Sequence, residues 1–159
     1  MSRIIGFSCI LHEEDEILIL GSMPSEESLR QHFYYANKTN RFWPMMAKVF
    51  NETANTREQQ LALLKTHKIA LWDVCHSCIR KGSMDADIKE VTPNDISLLL
   101  KIHPTIQKVI CNGKKSEQLM KKYFKEISIK TCPSTSAANA RYRLEDLVEI
   151  YGKELKENG

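Results

Sequence analysis

The residues best suited to chemistry in this chain fall in one stretch: Gly21, Ser22, Met23, Pro24 and Ser25, then Tyr34 and Tyr35, then Asn40 directly ahead of Arg41-Phe42-Trp43. Small residues at 21–25 let backbone N–H groups approach a polar ligand edge, and adjacent aromatics offer a face on which a base can stack. Tyr35 is the expected stacking surface, with Tyr34 and Phe42 beside it, and at least one of Tyr34, Tyr35 and Trp43 belongs to the core. Asn40 has two roles open to it. Its carboxamide can orient a water molecule, or it can cap a helix that starts there. Together these are the parts needed to hold a nucleotide.

A second group follows at Cys132-Pro-Ser-Thr-Ser-Ala-Ala-Asn-Ala140. Ser134, Thr135 and Ser136 can hydrogen-bond a phosphate, with Arg141 close behind, although such a loop can also serve as a plain turn. Asp73 ends the apolar run Ile69–Trp72, where a carboxylate can accept from a ligand N–H, bind a cation or cap the next segment. Cys75-His-Ser-Cys78 lacks the second cysteine pair of a structural zinc site, so incidental thiols near the core are the better account. The five histidines sit near no Ser or Cys in a triad arrangement. Lys114 and Lys115 lie where they can touch a backbone phosphate.

These groups need a scaffold, and the apolar pattern supplies one. Ile17–Leu20, Ile69–Trp72, Lys108–Cys111 and Ile127–Thr131 are short and apolar throughout, as in a parallel sheet covered on both faces. A further strand around Ile4–Ser8 is expected at an edge. Helices are expected over Asn40–Phe50, Thr56–His67, Asn94–Ile102, Lys115–Phe124 and Leu144–Leu155. Thr56 and Gln59 form a capping-box pattern, and Thr92-Pro93 reads as a cap with Pro at the first helical position. Strands alternating with helices predict an α/β protein, a three-layer α/β/α domain around a mostly parallel four-stranded sheet. Right-handed crossovers then gather the loops at 21–39, 73–91, 112–115 and 132–141 over one cleft, at the strand C-termini where open sheets bind ligands.

The 159 residues amount to one ordinary domain, spanning 1–159, with 42% apolar residues. No apolar run approaches the roughly 20 residues that span a bilayer, so no membrane role is expected. The start of the chain lacks an apolar signal segment, and five scattered cysteines read as reduced thiols of a cytoplasmic protein. A net charge of +3, from 23 basic and 20 acidic residues, is compatible with a polyanion partner only if the basic residues share a face.

Taken in order, Gly21–Ser25, Tyr34-Tyr-Ala36, Asn40–Trp43, Leu71-Trp-Asp-Val74, Asn112-Gly113 and Pro133–Ser136 resemble the uracil-DNA glycosylase superfamily, and most closely its hypoxanthine-DNA glycosylase branch. The resemblance spans residues 17 to 143. It implies a monomeric DNA-repair enzyme of α/β/α fold that needs no metal or other cofactor, with Asn40 as its catalytic residue. Three positions depart from the wider superfamily: Met23 where many members have Asp or Asn, Cys132 where many have His or Asn, and small Ser136 where others carry a bulky wedge. Asn37-Lys-Thr39 also replaces a frequent His-Pro.

The expected reaction is hydrolysis of the N-glycosidic bond of a deaminated base flipped out of DNA. In it the Asn40 carboxamide oxygen orients water. Gly21, Ser22, Met23, Pro24, Tyr35, Phe42 and Asp73 hold the base, hypoxanthine first. Ser25, Ser134, Thr135, Ser136 and Arg141 meet backbone phosphates. The alternatives are a uracil- or xanthine-directed enzyme, a hydrolase of free nucleosides or nucleotides, and a catalytically silent nucleic-acid-binding module.

Overall fold

The computed structural model describes residues 2–156. Four strands, β2 (Ile17–Gly21), β3 (Ile69–Asp73), β6 (Lys108–Asn112) and β7 (Lys130–Cys132), form an all-parallel sheet in the order β3-β2-β6-β7. Successive side chains of a strand face opposite ways, and the core divides accordingly. Ile17 and Ile19 pack on one face with α2 (Phe42–Phe50), α3 (Arg57–Thr66) and α6 (Leu144–Lys156). Leu18 and Leu20 pack on the other with α4 (Ile96–Ile102) and α5 (Lys114–Tyr123). This is the three-layer α/β/α arrangement expected, and no helix among the described residues is long and apolar enough to cross a membrane.

The segment 73–91 is not the loop expected. It contains β4 (Cys75–Ile79) and β5 (Lys89–Pro93), which join β1 (Ile4–Ile5) in a second, antiparallel sheet of order β1-β4-β5. Lys89-Glu90-Val91 looks unlike a buried strand because β5 is an edge strand, where charge protects unpaired backbone. The N-terminal strand is also shorter than Ile4–Ser8 and pairs with β4, not with the parallel sheet. A bridge between Ile10 and Leu71 covers the outer side of β3 instead.

Three further expectations shift. Pro93 ends β5, and Asp95 caps α4 through Leu98 N–H at 3.0 Å. The last parallel strand starts at Lys130 because Ile127 N–H turns back to Phe124 O at 3.1 Å. A short helix, α1 (Glu26–Gln31), interrupts the first loop, with Ser25 as its cap. The Thr56–Gln59 capping box is present as written in the sequence.

Candidate active site

The strand ends do converge on one cleft, a cavity of about 850 Å³. Its floor is the pairing of Gly21 with Asp73 across β2 and β3. A Cβ at position 21 would collide with Asp73 Oδ1 and lie 3.3 Å from the Tyr35 hydroxyl, so glycine is what lets these two groups sit side by side. Asp73 is 5% exposed, and its Oδ2 has no hydrogen-bond partner among the described residues. Its main-chain carbonyl is held by Asn94 Nδ2 at 2.8 Å. Burial pushes the pKa of the carboxyl up to about 7, Asp85 adds to the rise and Arg80 opposes it.

Tyr35 is brought to the same floor by an unusual backbone. Its φ of 53° is in the left-handed region, which costs a bulky residue on the order of 1–3 kcal/mol and persists only where neighbours enforce it. Trp43 Nε1 holds Tyr34 O at 2.9 Å, and Ser28 Oγ accepts from Ala36 N–H at 3.0 Å, which fixes the chain on either side. The Tyr35 ring stacks on Phe42 with centroids 4.0 Å apart, and its hydroxyl is buried without a hydrogen-bond partner among the described residues. Burial raises both tyrosine phenols well above their ordinary value, so both are neutral. Tyr34 donates to Ser8 O at 2.9 Å and packs edge-on to Phe7 in the core. Phe42, expected to touch the ligand, is fully buried behind Tyr35 and supports the platform from below. Gly21, Ser22, Met23 and Pro24 do line the cavity.

The opposite wall is a closed hydrogen-bond network. Asn112 donates from Nδ2 to Thr135 Oγ1 at 3.1 Å and accepts Thr135 N–H on Oδ1 at 3.0 Å. The Thr135 hydroxyl then donates to Asn40 Oδ1 at 2.8 Å, and Phe42 N–H donates to the same oxygen at 2.9 Å. Arg41 occupies the cap position of α2, while Asn40 supplies the oxygen that receives the first free N–H. Cap and cavity residue, posed as alternatives by the sequence, are thus combined in Asn40. Its oxygen has both lone pairs engaged, and its Nδ2 has no partner among the described residues.

Arg41 ties the second loop down. Its Nε donates to Thr135 O at 3.3 Å, its Nη2 to Ser136 O at 2.7 Å and Asn139 O at 3.1 Å, and its Nη1 to Tyr142 O. Neither Arg41 nor Asn112 had been assigned a role from sequence. An Arg next to Asn40 was visible, but its carbonyl targets lie about a hundred residues away along the chain. Thr135, expected at a phosphate, is 1% exposed, and its hydroxyl bonds Asn112 and Asn40. Ser134, Ser136 and exposed Arg141 do lie along the rim. Ser25 lines the cavity too, but its oxygen accepts Ser28 N–H at 3.1 Å as the cap of α1. Cys132 is buried, and burial raises its thiol to about 12, which leaves it un-ionised and unreactive. Cys75 and Cys78 are buried in the second core.

Residues 11–156 match the model of the uracil DNA glycosylase superfamily. The chain belongs to that superfamily. It is 39% identical over 142 residues to a hypoxanthine DNA glycosylase of Methanosarcina acetivorans, covering 86% of this chain and 89% of the relative. It is 40% identical over 113 residues to a hypoxanthine DNA glycosylase of Methanosarcina barkeri, covering 70% and 72%. The solution NMR structure of a Methanosarcina acetivorans protein described as a candidate uracil DNA glycosylase superposes with a TM-score of 0.80 at 35% identity, over 98% of this chain and 100% of that one. The superfamily relation explains why six short motifs, each weak alone, arrive in order at successive strand ends.

Proposed function

We propose that this protein is a monofunctional DNA glycosylase that removes hypoxanthine from DNA and leaves an abasic site. The observation that carries the choice of base is the unpartnered Asp73 carboxylate on the cavity floor, beside the Tyr35 platform. Hypoxanthine offers N1–H as a donor. Adenine offers a bare N1 lone pair that a carboxylate repels. A site built to pair a polar group rejects an analogue that leaves it unpaired by a large factor. The two relatives named above act, by their names, on hypoxanthine.

Bond cleavage builds positive charge on the sugar and negative charge on the departing base. Asn40, its oxygen engaged, offers two N–H donors to that developing anion, and Tyr35 stacks on the ring. Water is captured after the bond has largely broken, so no strong base is required. This accounts for Met23 at a position where other members place a carboxylate or carboxamide. Ser134, Ser136, Arg141 and Ser25 hold the backbone around the lesion. The protein works as a single monomeric domain in the cytoplasm, on DNA carrying a deaminated base.

The test is a set of labelled duplexes containing inosine, uracil, xanthine or adenine, scored for abasic sites, with free deoxyinosine in parallel. Release is expected from the inosine duplex first. Release from uracil or xanthine alone would move the assignment within the superfamily, cleavage of free deoxyinosine alone would make it a nucleoside hydrolase, and no release anywhere would leave a binding module.

A further inference from the structure

A nucleotide turned out of a duplex leaves a gap in the stack, and the enzyme must fill it or the base falls back. Apolar side chains such as Leu, Ile, Phe and Met do this work when they project from a rim that faces DNA. The second loop offers only Pro133, which is half-buried with its carbonyl accepting from the Tyr151 hydroxyl at 2.7 Å. Ser136, Ala137, Ala138 and Ala140 are all small, and Arg141 is charged. Five large apolar side chains stand exposed among the described residues, and of these only Met84, 55% exposed, lines the cavity.

We propose that Met84 is the wedge that enters the DNA stack when the lesion is flipped. The backbone around it is suited to that task. Gly82, with φ of 79°, turns the chain after β4, and Arg80 Nε holds Gly82 O at 2.7 Å. Ser83 Oγ accepts Glu26 N–H at 2.8 Å, and Ser22 Oγ donates to Asp85 Oδ1 at 2.6 Å. Ile88 N–H closes a one-turn 3-10 helix onto Asp85 O at 3.1 Å, and Ile88 is buried. Residues on both sides of Met84 are therefore anchored to the first loop while its own side chain is free. An unbranched thioether adapts to the irregular space between base pairs. The anchoring through Ser22 also joins the wedge to the floor that receives the base.

The inference rests on the proposed action on duplex DNA, and its experiment separates the two. Single-turnover release is measured on an inosine duplex and on the same strand alone, for the wild type, Met84→Ala and Met84→Leu. The duplex-to-single-strand rate ratio is expected to fall at least about tenfold in Met84→Ala, because unstacking costs a few kcal/mol, and to recover in Met84→Leu. In parallel, 2-aminopurine next to the lesion brightens when the stack opens, a signal that needs no base release, and Met84→Ala should brighten less than the wild type. An unchanged ratio with unchanged brightening would overturn the wedge, and so would an equal loss on both substrates, which would make Met84 a pocket contact. A wild type that opens the stack without releasing any base would instead sink the glycosylase assignment and leave the wedge standing.

Discussion

The two walls of the cleft handle polar groups in opposite ways. On the wall formed by Asn112, Thr135, Asn40 and Arg41, donors and acceptors are matched across chain segments, and the one free group is the Asn40 amide. On the floor formed by Gly21, Tyr35 and Asp73, a carboxylate oxygen and a phenol are buried without a hydrogen-bond partner among the described residues. A satisfied network rigidifies and positions, whereas a buried unsatisfied group is costly and calls for an explanation, of which a ligand is one. On the proposed function, the first wall holds Asn40 still and the floor reads the base.

The sharpest way to break this division is at the residue where the walls meet. Asn40→Ala should remove about 3 kcal/mol or more of transition-state stabilisation, near a hundredfold or greater in single-turnover rate, with the fold retained. Asn40→Asp puts an acceptor where the amide donates. It should be as inactive as the alanine variant, and retained activity would show that the side chain works as an acceptor for water.

Asp73→Asn comes next and tests the floor. A large loss on inosine duplexes is expected, with the steepest loss above pH 7. In the wild type, activity on inosine should rise with pH through about 7 as the carboxylate ionises, and the variant should lose that limb. Below it, a protonated carboxyl can donate to adenine N1, so discrimination against adenine should narrow. Stability moves the other way. Folding raises this carboxyl from 3.8 to about 7, so the folded protein keeps a proton that the unfolded chain has released in that window. Wild-type stability should therefore fall as pH rises from about 4 to 7, by on the order of 4 kcal/mol. The Asp73→Asn protein should be flat over the same range, as read by urea melts. Parallel curves for the two proteins would show that Asp73 is already paired.

Thr135→Val tests the opposite wall at nearly constant volume. It strips Asn112 Nδ2 of its acceptor and Asn40 Oδ1 of one donor, and should cost about 1–3 kcal/mol of stability. A drop in single-turnover rate should accompany it. A stable variant of normal rate would show that the network is ornamental to the site. The smallest effect belongs to the rim. Arg141→Ala should weaken binding to any duplex alike and lower the salt slope by about 1, while leaving base preference unchanged. An unchanged slope would remove Arg141 from the DNA-facing surface.

The sequence by itself determined the parallel sheet, the helices that cover its faces and the edge where the strand-end loops converge. Uniformly apolar runs such as Ile17–Leu20, and the Thr56–Gln59 cap, are local signals that fix local structure. It also offered Tyr35 and Asp73 as candidates from their types and places, and Asn40 through the superfamily resemblance. It could not foresee the β4–β5 hairpin, since polar Lys89-Glu90-Val91 becomes a strand only by pairing with β4 across the chain. Nor could it tell that Phe42 would lie beneath Tyr35, that Thr135 would bond Asn40, or that Arg41 would grip four carbonyls of a distant segment. Those roles depend on which partners a side chain meets. Partners separated by about a hundred residues come together only when the sheet and its crossovers have closed.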